Sequence, residues 1–158
     1  MTCTIISTGE ELNLICKNEN EPPYPEIKAK LREKIWNLYC KGYDSFWLNC
    51  EYGVPLWCCE IISALALYND IELNIAMPYE EQSTNWVEEH RDRFFAVHFD
   101  SDCVELISNQ YTEDCYELAD EYMIDESDLV VIVGSSDQNN SLRKYAESTG
   151  VKVENFPL

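Results

Sequence analysis

The segment SFWLNCEYGVP, residues 45–55, passes directly from an apolar run into the start of a helix. Ser45–Leu48 is short, apolar and aromatic, which is typical of a buried strand. Asn49–Gly53 is a polar turn, and Pro55 suits the first turn of a helix, where an amide hydrogen has no acceptor within the helix. A strand that leads into a helix in this way is the repeating unit of parallel sheets.

The same alternation continues on both sides of this segment. Short apolar runs predict further strands at Cys3–Thr8, Ile71–Met77, Cys103–Ile107, Leu129–Val133 and Val151–Phe156. Besides the helix near Pro55, spacing and capping signals predict helices at Glu26–Lys41, from Ser83 or Thr84 to His98, at Tyr111–Met123 and at Ser141–Thr149. Strands that are apolar along nearly their whole length indicate a parallel sheet covered by helices on both faces. The sequence therefore predicts one domain over residues 1–158, a Rossmann-like three-layer α/β/α fold with a mainly parallel central sheet.

The composition is strongly acidic, since 30 acidic residues against 11 lysine and arginine residues give a net charge of −19. Such a field repels polyanions and anionic membrane surfaces, so direct binding to nucleic acid or to a membrane is not expected. An acidic surface keeps a protein soluble. It also suits docking on a basic protein partner.

The cysteines and the amino terminus indicate where the protein works. The amino terminus lacks the basic and long apolar regions of a secretory signal, so we expect a cytoplasmic protein with reduced thiols. The eight cysteines include no C-x-x-C pair, and His90 and His98 lie apart on a predicted helix. No metal site is predicted from this spacing, and no cofactor is required.

Ligands of parallel sheets bind where the strands end at their carboxyl termini. This rule selects the loops that contain Thr8 and Gly9, Asn49 and Gly53, Tyr79 and Gln82, and Gly134 and Ser135. The helix that starts near Gly53 also offers unpaired amide groups to a phosphate or a carboxylate. Neither G-x-G-x-x-G nor G-x-x-x-x-G-K-[ST] is present, so no standard dinucleotide or P-loop site is predicted.

Three separated segments carry recognisable motifs. They are GVPLWCCE at residues 53–60, PYEEQ at residues 78–82 with Trp86 four positions on, and YMIDESDL at residues 122–129. In this order they resemble the G-V-[DE]-x-W-A-A-E, P-[FY]-x-x-Q-x-x-x-W and Y-M-[IV]-D-x-S-D-x signatures of the YpsA-type branch of the SLOG superfamily. The resemblance implies a Rossmann-like fold with a pocket for a nucleotide or a nucleotide-derived small molecule. With the loop rule, it gives these candidate ligand-binding residues: Thr8, Gly9, Asn49, Gly53, Trp57, Glu60, Tyr79, Gln82, Trp86, Gly134 and Ser135.

The chain departs from the family pattern at several positions, among them Pro55, where the family has an acidic residue, and Asn49, where it has a glycine. The usual Gly-His-Arg after the first strand is Gly9-Glu10-Glu11, which removes an arginine suited to grip a phosphate. The Gly-Gly-Thr expected after the fifth strand is replaced by residues around Ser135. These departures weaken the prediction of a phosphate site. The placement of the motifs still favours a protein that binds, senses or sequesters a nucleotide-related small molecule, without strong catalysis.

Two other functions stay open. A nucleoside-monophosphate glycosidase-like hydrolase would use Glu60 as its catalytic residue, assisting departure of the ribose. An acidic interaction module would imitate nucleic acid and block a nucleic-acid-binding partner, as a mobile-element anti-defence protein would. Rossmann-like domains of this size also often pair through helices, so a homodimer is an expected assembly.

Several candidates have a structural explanation beside the functional one. Trp57 suits the core. Gln82 and Trp86 together could pin the third loop against the sheet. Asp125 and Asp128 could order the turn into the fifth strand.

Overall fold

A computed structural model describes residues 1–7, 18–134 and 140–158 of the chain. The strands are β1 (Thr2–Ser7), β2 (Ser45–Leu48), β3 (Glu72–Met77), β4 (Cys103–Leu106), β5 (Leu129–Val133) and β6 (Lys152–Phe156). The helices are α1 (Tyr24–Cys40), α2 (Val54–Ala66), α3 (Glu88–Asp100), α4 (Cys115–Asp125) and α5 (Asn140–Thr149).

The strands form a sheet in the order β4-β3-β2-β1-β5-β6, and every neighbouring pair is parallel. β1 lies between β2 and β5, so Thr4 is paired with Trp47 on one side and with Val130 on the other. The chain moves outward from β1 to β4 and then returns past β1 to add β5 and β6. The predicted Rossmann-like α/β/α fold is confirmed, and the carboxyl ends of these strands meet at one edge.

Alternate residues of the strands enter two hydrophobic cores, one on each face of the sheet. In β5, Leu129, Val131 and Val133 join one core, whereas Val130 and Ile132 join the other. Helices α1, α2 and α3 cover the first core, and α4 and α5 cover the second. Because both faces are buried, β5 is apolar at every position, as expected for a central parallel strand.

Helix α1 packs through the apolar face that its sequence spacing predicts. Its buried residues include Ile27, Leu31, Ile35 and Leu38, and Gly42 follows the helix at φ +94°. Only a residue without Cβ adopts that torsion readily, which makes Gly42 a suitable helix terminator. The helix starts at Tyr24, slightly earlier than predicted.

The predicted start of α3 is wrong. The helix begins at Glu88 rather than at Ser83 or Thr84, and its N-cap is Val87, which makes no side-chain capping bond. Residues 80–85 form turns instead, as in the bond from the Thr84 amide to the Glu81 carbonyl at 3.1 Å. Good capping residues favour a helix start only where the following backbone is free to enter the helix.

The predictions for α4 and β4 also need correction. α4 begins at Cys115 rather than at Tyr111 and runs to Asp125. β4 lies at one edge of the sheet, and its residues are exposed rather than buried. Within the part of the chain that the structure describes, no helix has the length and apolarity needed to cross a membrane.

Candidate functional site

The turn between β2 and α2 is held by two residues with positive φ. Cys50 has φ 57° and Gly53 has φ 105°. A Cβ atom at Gly53 would meet no atom within 4 Å, so the need for glycine comes from the backbone torsion and not from lack of space. This turn brings Asn49 and Glu51 to the carboxyl edge of the sheet.

The next loop is tied to this turn by Gln82. Its side chain is 3% exposed, and its Nε2 donates to the Asn49 carbonyl at 3.0 Å and to Glu51 Oε2 at 3.2 Å. Asn49 in turn accepts a bond from the Glu51 amide at 3.1 Å. The role predicted for Gln82 in pinning the third loop agrees with these contacts.

Helix α4 adds two further side chains from the opposite face of the sheet. Tyr116 donates its hydroxyl to Glu51 Oε2, and Asn49 Nδ2 donates to Asp120 Oδ1 at 3.4 Å. We call the group formed by Asn49, Glu51, Gln82, Tyr116 and Asp120 the carboxyl-edge cluster. It joins residues that follow β2 and β3 with one face of α4.

Ionisation in the carboxyl-edge cluster is governed by burial. Burial raises the pKa of the Asp120 carboxyl to about 7, the hydrogen bond from Asn49 opposes this rise, and the charge of Glu117 adds to it. Burial and the Glu51 carboxylate likewise raise the pKa of the Tyr116 phenol. Asp120 is therefore able to accept or donate a proton near neutral pH.

Two tyrosines flank this cluster. The ring of Tyr79 lies 5.3 Å from that of Tyr111 and 6.2 Å from that of Tyr116, both edge to face. Tyr111 is 62% exposed, so this aromatic surface is open to solvent.

The predicted site residues fall into four groups. Asn49, Tyr79 and Gln82 come together at the carboxyl edge, with Gly53 shaping the adjoining turn. Gly134 follows β5 with φ 108°, and its amide donates to the Phe156 carbonyl at 3.1 Å. Thr8, Gly9 and Ser135 lie outside the described residues. Trp57, Glu60 and Trp86 lie between helices α1, α2 and α3.

Glu60 belongs to a separate ionic cluster. Its carboxylate accepts Arg93 Nε at 2.6 Å and Arg93 Nη2 at 2.9 Å. The same guanidinium donates from Nη1 and Nη2 to Glu19 at 3.0 Å and 3.1 Å. Lys28 Nζ and the Tyr52 hydroxyl also donate to Glu19, at 2.6 Å and 2.8 Å. We call Glu19, Lys28, Tyr52, Glu60 and Arg93 the Arg93 cluster.

The two predicted tryptophans are packing residues. Trp57 is 1% exposed, and its ring centroid lies 5.9 Å from that of Tyr24. Lys28 Nζ lies 4.9 Å from the centroid of the Trp57 ring. Trp86 packs edge to face against Phe94 at 5.3 Å. Their contacts agree with the structural explanation given for them.

Asp120 and Tyr116 were missed because they stand on a helix and not in a strand-end loop. Their spacing of four positions places both on the same face of α4, and this spacing is visible in the sequence. What the sequence does not show is that this face of α4 meets the end of β2. Among the described residues, no group of three or more histidine, cysteine, aspartate or glutamate side chains could hold a metal ion.

A parallel sheet that winds in both directions from β1, with polar side chains gathered at its carboxyl edge, defines a Rossmann-like α/β protein. Residues 7–155 match the sequence model of a protein family named YpsA and described as the YspA SLOG family. The chain belongs to this family.

Curated relatives agree with this assignment. The UPF0398 proteins of Bacillus cereus strain B4264 and of Bacillus thuringiensis strain Al Hakam are each 26% identical to the chain over 147 residues. Each alignment covers 90% of the chain and 79% of the relative. The chain is therefore a divergent member of the family.

Proposed function

We propose that the protein binds a nucleotide-related small molecule at the carboxyl-edge cluster, as a sensing or sequestering protein without strong catalysis. The observation that carries this proposal is the convergence of side chains from the β2 turn, the β3 loop and α4. Amide, carboxyl and phenol groups in one place suit the polar edge of a base and the hydroxyls of a ribose.

One acceptor atom of the carboxyl-edge cluster receives no hydrogen bond from the described residues. Gln82 Oε1 is buried and has no hydrogen-bond partner among the described residues. A buried polar atom of this kind costs free energy unless a ligand or a water molecule satisfies it. A base amino group would be a suitable donor, and the exposed ring of Tyr111 offers a neighbouring surface for stacking.

The placement of Glu60 argues against Glu60 as the catalytic residue of a glycosidase at the carboxyl edge. A glycosidase mechanism at the carboxyl edge would need a carboxyl group that faces the ligand and can transfer a proton. Glu60 is instead held in a two-point ion pair with Arg93.

The binding proposal is tested with a panel of nucleosides, nucleoside monophosphates and ADP-ribose derivatives in calorimetry and thermal-shift assays. We expect at least one compound to bind and to raise the Tm. Gln82→Met and Asp120→Asn should each weaken this binding by about tenfold, the effect of losing a buried hydrogen-bonding partner. Gln110→Met, at an exposed glutamine in the loop after β4, should leave it unchanged. A well-folded sample that binds no compound up to millimolar concentration would rule the proposal out.

Mass spectrometry separates binding from cleavage. Incubation of each monophosphate with the protein should release no free base. Release by the natural protein that is abolished in Glu60→Gln would favour the glycosidase hypothesis instead.

A further inference from the structure

The carboxylate of Glu19 is held as a bound anion would be held. It receives donors from Arg93 of α3, from Lys28 of α1 and from Tyr52 of the β2 turn. Burial alone would raise the pKa of Glu19, but hydrogen bonds from Arg93, Lys28 and Tyr52 outweigh burial and lower it to about 2. A paired guanidinium edge, an ammonium and a phenol hydroxyl are groups that bind phosphate in proteins.

The donors would keep their arrangement without Glu19. Arg93 uses Nε and Nη2 to bind Glu60, which fixes the plane of the guanidinium from the α2 side. Its Nη1–Nη2 edge is the one that faces Glu19. Tyr52 is fixed by stacking on His90, with the ring centroids 4.1 Å apart. Arg93 and Tyr52 are therefore held by contacts that do not involve Glu19, and Lys28 Nζ also lies over the Trp57 ring, 4.9 Å from its centroid.

There is room for a ligand beside this carboxylate. A cavity of about 500 Å³ is bordered by Glu19, Lys28, Tyr52, Glu60, His90 and Arg93, among others. None of these residues belongs to the carboxyl-edge cluster, although Tyr52 directly follows Glu51 of that cluster in the β2 turn.

The backbone around Glu19 is held mainly by short-range bonds. Among the described residues, the Glu21 amide donates to the Asn18 carbonyl at 3.2 Å, and the Asn20 amide donates to Asn18 Oδ1 at 3.1 Å. The Tyr24 amide donates to the Glu21 carbonyl at 3.1 Å. These bonds would survive if the Glu19 side chain turned away from Arg93.

We propose that the Arg93 cluster is an anion-binding site for a phosphoryl group, and that Glu19 is an internal carboxylate that competes for it. With Glu19 in place, the two carboxylates balance the charges of Arg93 and Lys28. With Glu19 withdrawn, the donors of Arg93, Lys28 and Tyr52 are left free to bind the ligand, while Glu60 and, at the border of the same cavity, Glu89 keep the local charge balanced. The apparent affinity for phosphate is then reduced by the fraction of time that Glu19 occupies the site.

The test is calorimetric titration of the full chain with inorganic phosphate, with AMP and with acetate. Glu19→Ala should bind phosphate and AMP about tenfold more tightly than the natural protein, because the internal competitor is gone. Glu21→Ala removes the same charge two positions along the same segment and should leave the affinity unchanged. An unchanged phosphate affinity in Glu19→Ala would overturn the proposal.

The donors are tested in the Glu19→Ala background. Adding Lys28→Ala should cancel the gain, whereas Lys30→Ala, an exposed lysine of the same helix, should preserve it. Arg93→Gln should cancel it as well, with circular dichroism and the Tm reporting whether this variant folds. If tighter phosphate binding survives the loss of Lys28, the assignment of the site is wrong.

Acetate that binds as tightly as phosphate would overturn the phosphoryl assignment. Because the two clusters share no residue, Gln82→Met should not alter phosphate binding here.

Discussion

The two clusters balance charge in different ways at the scale of single residues. In the Arg93 cluster, Glu19 and Glu60 each face the guanidinium of Arg93. In the carboxyl-edge cluster, Asp120 is met by the neutral amide of Asn49. Burial favours the protonated form of the Asp120 carboxyl and is the main cause of its raised pKa, while the hydrogen bond from Asn49 opposes that rise.

Asp120 should make stability depend on pH. Its pKa rises from 3.8 to about 7 in the folded protein, so between these values the native state holds a proton that the unfolded chain has released. Asp120 therefore does not reduce the free energy of unfolding below about pH 4, and it reduces it progressively as the pH rises to about 7. Asp120→Asn should raise the free energy of unfolding at pH 8 by about 2 kcal/mol, less than the full shift implies because the Asp120 residue is only part-buried.

Urea unfolding at pH 5 and pH 8 measures this effect, and carbon NMR of the Asp120 carboxyl measures the titration itself. Asp92→Asn, at an exposed position of α3, serves as the control and should change neither curve. A carboxyl that titrates near pH 4 in the folded protein would contradict the prediction.

At the scale of elements, the turn between β2 and α2 decides where the polar side chains lie. Its backbone turns sharply at Cys50 and Gly53, and the carbonyl of Asn49 at its start receives Gln82 from the following loop. The loop then continues in turns before α3 begins at Glu88. One glutamine thus fixes the distance between two strand-end loops.

Gly53→Ala should destabilise the protein by about 1–2 kcal/mol, the cost of placing a Cβ atom at positive φ. Because a Cβ atom would meet nothing within 4 Å, no steric contribution is expected. Urea unfolding measures the change, with Asn109→Ala in the exposed loop after β4 as the control. Equal stability of Gly53→Ala and the natural protein would show that the turn relaxes to another conformation.

At the scale of the whole molecule, charge and topology act separately. Apolar side chains are buried on both faces of the sheet, while the net charge of −19 acts at the surface. Self-repulsion of such a charge opposes the compact state without selecting another fold.

Salt should therefore stabilise this protein. Screening shortens the range of surface repulsion, so raising NaCl from about 0.02 M to about 0.3 M should add on the order of 1 kcal/mol, or about 2–4 °C in Tm. Differential scanning calorimetry at pH 7 measures the increase, which should shrink at pH 5, nearer the isoelectric point of about 4.2. A Tm that falls with added salt would mean that attractive ion pairs outweigh repulsion.

The sequence by itself determined the architecture of this protein. The bounds of β2 and β5 were predicted as they are found, and apolar spacing identified the buried face of α1. These features are local, because the pattern of burial along one element is recorded in that element's own residues. The start of α3 could not be predicted in this way, since Gln82 is held by residues of another loop.

Only the tertiary structure decided how the polar residues are grouped. Glu60 carries a family motif, yet its partner is Arg93 on the next helix, and Asp120 reaches Asn49 from the opposite face of the sheet. The sequence lacks the arginine that the family pattern has after the first strand. In the fold, Arg93 of α3 places its guanidinium against the carboxylate of Glu19. Contacts between residues far apart in the chain depend on how helices pack on the sheet, and no local pattern of residue types encodes that distance.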